Sequence, residues 1–159
     1  MNFHYTAHDD VPRDDAAVVD DGLGRANETA APLHEVQALA CFARRDGGEV
    51  VGGAIGRTWG TCCELQQLWV DPVHRRQGIG AGLVRRFEQR AASRGCTSFF
   101  LETFSFQAPA FYESLGYRAA TEFRGFPHDI VKYVMARHSA PTDGPPGVVD
   151  GTRSGGPQR

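Results

Sequence analysis

The sequence predicts a single α+β domain built on a largely antiparallel sheet. A chain of 159 residues, 41% of them hydrophobic, is long enough to bury one core and short for two. Residues 33–43 and 49–58 are apolar, strand-like runs, and the Arg-Arg-Asp-Gly-Gly segment between them is typical of a tight hairpin turn. An amphipathic helix that ends at Gly95 is predicted by four apolar residues at helical spacing: Leu83, Val84, Phe87 and Ala91.

The other elements follow in order along the chain. Residues 3–8 alternate apolar with polar side chains, which predicts a first strand, and an acidic segment with helical spacing comes next. Residues 61–71 predict a strand that Pro72 ends, because proline lacks the backbone donor that a strand uses. The last predicted elements are a short helix at 108–115 and three strands at 97–104, 117–124 and 130–136.

The C-terminal residues differ in composition from the rest. Residues 139–159 are rich in proline, glycine and small polar side chains, so we expect a disordered tail and place the domain at residues 1–138. No segment has the roughly 20 apolar residues that a membrane helix needs, and the N-terminal residues lack the basic and apolar regions of a secretion signal. We therefore expect a cytoplasmic protein that has no membrane partner.

The net charge, the histidines and the cysteines indicate which partners and which kinds of site to expect. The formal net charge of −2 gives no reason to expect a nucleic acid partner, but residues 1–35 carry −6 and the remainder carries +4. Such a division suits an enzyme that takes a cationic substrate and a phosphate-bearing cofactor. The six histidines lack metal-ligand spacing, so no metal is expected. The four cysteines lie in apolar runs and are expected to be reduced and buried: Cys41, Cys62, Cys63 and Cys96.

A basic, glycine-rich turn precedes the amphipathic helix. The backbone N–H groups of residues 77–81 fall in the first turn of that helix, where they lack intrahelical partners and can bind an anion. Gly78 and Gly80 let a phosphate approach the backbone closely, while Arg75 and Arg76 add positive charge. The sequence contains no P-loop string, and it lacks the third glycine of a dinucleotide fingerprint.

Two motifs together are specific to a family. The Arg-x-x-Gly-x-Gly motif at residues 75–80, preceded by Leu-Trp-Val-Asp-Pro at residues 68–72, resembles the acyl-CoA-binding motif of the GNAT family of N-acetyltransferases. Residues 108–117 are similar to the family's later motif, Ala-x-x-x-Tyr-x-x-x-Gly-Phe/Tyr, in which Tyr112 is the first tyrosine. Ser105 stands where the family often has an asparagine, three residues before the motif's alanine.

The resemblance implies the GNAT fold, a mixed, largely antiparallel sheet of about six or seven strands flanked by helices. A V-shaped cofactor cleft is expected between the strand that ends at Val70 and the strand that ends near Phe104. Acetyl-CoA is the implied co-substrate, a primary amine is the acceptor, and a homodimer is left open. The implied cofactor-binding residues are Leu68, Trp69, Val70, Arg75, Arg76, Gln77, Gly78, Ile79, Gly80, Ala81 and Ser105.

For catalysis, the resemblance places a general acid at Tyr112, since a phenol with a pKa near 10 can donate a proton to the leaving thiolate. An alkyl amine, with a pKa of about 10.4, must lose a proton before it attacks, and the candidate bases are Glu64 and Glu102. The alternatives are a packing role for Tyr112 and a paired or surface role for each carboxylate. Trp69 and Phe106 are candidates for the acceptor cleft unless they belong to the core.

The acidic front of the chain favours an acceptor with more than one positive charge, such as an aminoglycoside or a polyamine. Residues 103–108 and 126–128 resemble a bacterial subgroup of the family that includes antibiotic-modifying members. Kasugamycin-type aminoglycosides are the most specific candidates that this resemblance implies. A protein or peptide acceptor is the first alternative, and a non-catalytic module that binds acyl-CoA is the second.

Overall fold

The computed structural model describes residues 1–139, and the chain divides into two compact units. The first unit, residues 1–37, contains helix α1 (Arg13–Ala30) and a 3-10 turn at Leu33–Glu35. The strand predicted at residues 3–8 is wrong, because alternation makes a strand only where a neighbouring strand supplies backbone partners, and these residues have no regular secondary structure. From residue 140 onward, the predicted disordered tail lies outside the described residues.

One sheet dominates the second unit, which begins at Ala38. Its six strands are β1 (Gln37–Arg44), β2 (Val50–Trp59), β3 (Cys62–Val70), β4 (Ser98–Phe104), β5 (Arg118–Phe123) and β6 (Lys132–His138). They are ordered β1-β2-β3-β4-β6-β5. The pair β3 and β4 is parallel, whereas β2 with β3, β4 with β6 and β5 with β6 are antiparallel. The predicted α+β class with a largely antiparallel sheet is confirmed.

Helix α2 (Ile79–Ser93) packs its apolar face on this sheet. The four side chains predicted to form that face are all buried, which confirms the amphipathic helix. They share one core with side chains from three strands: Leu65, Phe99, Leu101 and Met135. A short helix, α3 (Pro109–Ser114), follows β4. None of the helices in the described part of the chain is long and apolar enough to cross a membrane.

The four cysteines are free thiols in different environments. Cys63 and Cys96 are buried, and burial raises the pKa of Cys63 to about 12 and the pKa of Cys96 above its ordinary value. Cys41 is half-buried. The prediction that all four are buried is wrong for Cys62, which is exposed because it begins β3 and points away from the core that receives its neighbour Cys63.

A β-bulge interrupts the pairing of β2 with β3. Two neighbouring residues of β2, Ile55 and Gly56, pair with Gln67 and Leu65, so Gln66 is an extra residue on β3. The side chains of β3 that contact the core are therefore spaced unevenly: Cys63, Leu65, Leu68 and Val70. Before the bulge the odd-numbered residues of β3 face the core, and after it the even-numbered residues do.

Gly56 lies directly against the bulge. A Cβ atom at this position would overlap the backbone carbonyl oxygen of Glu64 and lie 2.9 Å from Cζ of Phe87. The partner of this contact is backbone in a paired strand, so it has little freedom to move away. Glycine is therefore required for β2 and β3 to approach as closely as they do.

We expect Gly56→Ala to lower the free energy of unfolding by about 2 kcal/mol, because the added methyl group must push the bulge and Phe87 apart. Urea unfolding followed by tryptophan fluorescence measures this, since the two tryptophans, Trp59 and Trp69, lie on β2 and β3.

Gly82→Ala is the matched control. Gly82 lies in α2 with open space around its Cβ position, so alanine is expected to leave the free energy of unfolding unchanged or raise it by up to about 1 kcal/mol. Equal unfolding midpoints for the two variants would show that the contact at Gly56 does not limit stability.

Candidate active site

A cleft opens where β3 and β4 separate. The two strands pair only from Cys62 to Leu65 and from Ser98 to Leu101, although β3 continues to Val70 and β4 to Phe104. Beyond this point β3 keeps its pairing with β2, and β4 keeps its pairing with β6. An open cavity of about 1050 Å³ lies between the separated ends. The predicted V-shaped opening is confirmed.

Most of the predicted site residues line this cleft. All of them do so except Gln77, Ser105 and Glu64. Sequence reasoning missed several polar side chains of the lining, among them Gln66, His74 and Gln107. Within residues 1–139, no group of three His, Cys, Asp or Glu side chains is arranged to hold a metal ion.

The turn between β3 and α2 is held in shape by short-range hydrogen bonds. Asp71 Oδ1 accepts a hydrogen bond from the backbone N–H of Val73 at 2.9 Å, which starts a 3-10 turn at Pro72–His74. Arg75 Nε donates to the carbonyl oxygen of Val70 at 3.0 Å. The arginine side chain thus ties the turn back to the last residue of β3.

Two residues of this turn have left-handed backbone conformations. The φ angles are +60° at Arg76 and +78° at Gly78, and α2 begins immediately after Gly78. Gly78, Ile79, Gly80 and Ala81 all line the cleft, so the unpaired N–H groups of the first helical turn lie at its wall. A helix N-terminus with two arginines beside it attracts anions such as phosphate.

Among residues 1–139, no strand pairs with the cleft-facing edge of β3 after Leu65. Residues 66–70 pair with β2 on one side, and their other side borders the cavity. Backbone N–H and C=O groups on a free strand edge can bind an extended ligand in the way that another strand would bind. This edge is therefore suited to hold a chain with amide groups.

Tyr112 is buried at the opposite wall. It lies on α3 with 9% of its surface exposed, and its ring packs against Phe111 and Tyr117 at centroid distances of 5.2 and 6.0 Å. Burial raises the pKa of the phenol above its ordinary value, so the hydroxyl remains protonated at neutral pH. Its side chain lines the cleft.

The two candidate carboxylates lie in different places. Glu102 lines the cleft, and its Oε2 atom is 2.5 Å from Nζ of Lys132. Glu64 lies outside the lining, with its Oε2 atom 2.6 Å from Nε of Arg57, its cross-strand neighbour on β2. Arg57 is thus the ion-pair partner of Glu64, and that partner could not be identified from sequence.

Ser105 and Gln107 hold the end of β4. The hydroxyl of Ser105 accepts a hydrogen bond from the N–H of Val131 at 3.1 Å, so its contact is with backbone rather than with the cavity. Gln107 Oε1 accepts from the N–H of Phe104 at 2.8 Å and from Oγ1 of Thr103 at 3.2 Å. The cofactor roles of all the predicted residues stay predictions, and Ser105 and Gln77 differ from the others in lying outside the cleft lining.

Known proteins are similar to this chain in sequence and in fold. Residues 8–117 match the Acetyltransferase (GNAT) family. The chain is 36% identical over 109 residues to blasticidin-S acetyltransferase from Streptomyces morookaense, covering 68% of this chain and 78% of that protein. An acetyltransferase structure from Bacillus cereus matches with a TM-score of 0.71 and 23% identity, covering 84% of this chain and 98% of that one. A Bacillus anthracis protein solved in complex with acetyl coenzyme A matches with a TM-score of 0.57 and 20% identity, covering 64% of this chain and 62% of that one.

The family match includes both motifs that carried the resemblance in the sequence, at residues 75–80 and 108–117. These motifs meet across the cleft between β3 and β4, one at the start of α2 and the other on α3. The chain belongs to the acetyltransferase (GNAT) family.

Proposed function

We propose that this protein transfers the acetyl group of acetyl-CoA to a primary amine of a small cationic molecule, by direct attack in a ternary complex. The observation that carries the proposal is one cleft that brings together an anion-binding helix start, a free strand edge and a buried, protonated tyrosine. These three features supply what a thioester donor with a pyrophosphate group needs.

The donor end of the cleft is the turn at residues 75–80. The first-turn N–H groups of α2 would receive the pyrophosphate, with Arg75 and Arg76 adding positive charge. Leu68, Trp69 and Val70 would receive the pantetheine arm along the free edge of β3. The solved relative that holds acetyl coenzyme A supports acetyl-CoA as the donor.

The reaction requires two proton transfers. The amine gives up a proton, its nitrogen attacks the thioester carbonyl, and the C–N bond forms as the C–S bond breaks. A backbone N–H on the free edge of β3 can stabilise the oxyanion, as such donors do in acyl transfer generally. Tyr112 donates its proton to the departing thiolate, because burial keeps the phenol protonated until then.

A carboxylate in the cleft can accept the proton of the amine, directly or through water. Glu102 lines the cavity, whereas Glu64 is paired with Arg57 outside it. Proton transfer needs contact or a short water bridge, so this difference in position favours Glu102 as the base.

The acceptor is proposed to be cationic for two reasons. Residues 1–35 carry a formal net charge of −6, and Glu102 adds a carboxylate to the cleft itself. The similarity to blasticidin-S acetyltransferase supports an antibiotic as the natural acceptor. Aminoglycosides, including those of the kasugamycin type, belong to the same cationic class.

The test measures thiol release from acetyl-CoA. The acceptors are blasticidin S, kasugamycin, spermidine and a lysine-containing peptide. An amino alcohol whose amine is already acetylated serves as the blocked, uncharged control. We expect saturable release with at least one cationic small molecule and none with the blocked amine. A protein-only blank corrects for the exposed thiol of Cys62. Acetyl-CoA binding without release on any amine would contradict an enzyme and leave a binding module.

Gly78→Ala tests the donor site. Alanine is strained at a φ of +78°, so the turn is expected to rotate its N–H groups and raise the dissociation constant of acetyl-CoA about tenfold in calorimetry. Gly60→Ala is the control, because Gly60 also has a positive φ, +55°, and open space at Cβ, but lies at the β2–β3 turn outside the cleft lining. An equal loss of affinity in both variants would count against a phosphate site at Gly78.

Tyr112→Phe tests the general acid. The ring packing is kept and the proton donor removed, so we expect kcat to fall about 100-fold while the affinity for acetyl-CoA changes little. Tyr133→Phe is the control, since Tyr133 packs on the same core without lining the cleft. An unchanged kcat in Tyr112→Phe would remove the proposed role.

A further inference from the structure

Lys132 is the only lysine in the chain, whose other basic side chains, apart from histidine, are all arginine. It lies opposite Phe104 across the β4–β6 ladder, and Glu102 is two residues before Phe104 on the same face of β4. The ammonium Nζ is 2.5 Å from Oε2 of Glu102 and 6.0 Å from the centroid of the Phe104 ring. One ammonium group therefore has both a carboxylate and an aromatic face as neighbours.

This pair is continuous with the cleft. Glu102 and Phe106 both line the cavity, and the ring of Phe106 stacks on the ring of Phe104 at 5.4 Å with an interplanar angle of 10°. Phe126 meets Phe104 edge-on at 5.6 Å. An acceptor that enters the cavity along Phe106 would contact the carboxylate of Glu102, which is paired with Lys132.

The exposure of the two partners differs. The side chain of Glu102 is 55% exposed, whereas that of Lys132 is 29% exposed. An ion pair with so much solvent access is weak, so a ligand cation can replace the lysine without a large penalty. A lysine forms a single point contact, whereas an arginine could hold the carboxylate through two parallel hydrogen bonds.

A carboxylate beside aromatic faces is the arrangement that binds ammonium groups of ligands. We propose that Glu102, Phe104 and Phe106 form the ammonium subsite of the acceptor, and that Lys132 occupies this subsite until a cationic acceptor displaces it. The inference rests on the proposed function for the cationic nature of the acceptor. A neutral amine has no charge with which to displace the lysine, so the pair selects for cationic acceptors.

A spectroscopic test follows the lysine directly. Protein labelled with ¹³C at lysine Cε gives one signal, because the chain has one lysine. Titration with spermidine and with blasticidin S, at constant ionic strength, is expected to shift this signal saturably below about 10 mM, with glycerol as the neutral control. In Glu102→Gln the signal should start near the displaced position and respond little to either probe.

The absence of a saturable shift with both probes would overturn the proposal, as would an equal shift with glycerol. Acetyl transfer is measured separately on the same samples. Transfer to spermidine or blasticidin S without a lysine shift would leave the proposed function standing and remove the subsite. A Glu102-dependent shift without transfer would keep the subsite and remove the enzyme.

Kinetics provide a second measurement once an acceptor is transferred. Lys132→Met keeps an apolar stem over Phe104 and removes the competing ammonium, so KM for the cationic acceptor is expected to fall about fivefold. Arg124→Met is the matched control, because it breaks an exposed pair with Glu122 on the β5 side, outside the cleft lining. An unchanged or raised KM in Lys132→Met would contradict displacement.

Discussion

The separation of β3 from β4 after four paired residues is the constraint on which the site depends. Each strand keeps one partner along its outer edge, β2 or β6, so the sheet remains continuous while the inner edges open. The opening coincides with the bulge at Gln66, and the bulge requires a glycine at position 56 because a side chain there would collide with backbone. The absence of a side chain at position 56 of β2 thus allows the bulge in β3, which coincides with the start of the cavity on the other edge of β3.

A partly buried polar network links the helix at one wall of the cleft to the tyrosine at the other. Glu88 on α2 accepts hydrogen bonds from the hydroxyl of Tyr117 and from the guanidinium of Arg137 on β6, each at 2.7 Å. The ring of Tyr117 in turn contacts Tyr112. The helix that begins at the glycine turn and the tyrosine proposed as the acid are therefore supported by the same carboxylate.

Charge is distributed unevenly along the cleft. Arg75 and Arg76 border the helix start, and Glu102 borders the end of β4. Opposite charges at separate positions suit the proposed reaction between an anionic donor and a cationic acceptor, because each attracts its own ligand and repels the other. The pairing of Glu102 with Lys132 limits this attraction until a competing cation arrives.

The sequence by itself determined the features that depend on local spacing. The amphipathic face of α2, the hairpin turn, the glycine turn at residues 75–80 and the family motifs follow from neighbours within a few residues, and the structure confirms the helix and the sheet class. Tertiary structure alone decided the bulge at Gln66, the ion pair of Glu64 with Arg57, and the backbone contact of Ser105. It also decided that residues 3–8 form no strand. The physical reason is that these features depend on which residues of separate segments lie opposite one another, and turn geometry and the packing of a whole sheet face set that register rather than the few residues on either side of a position.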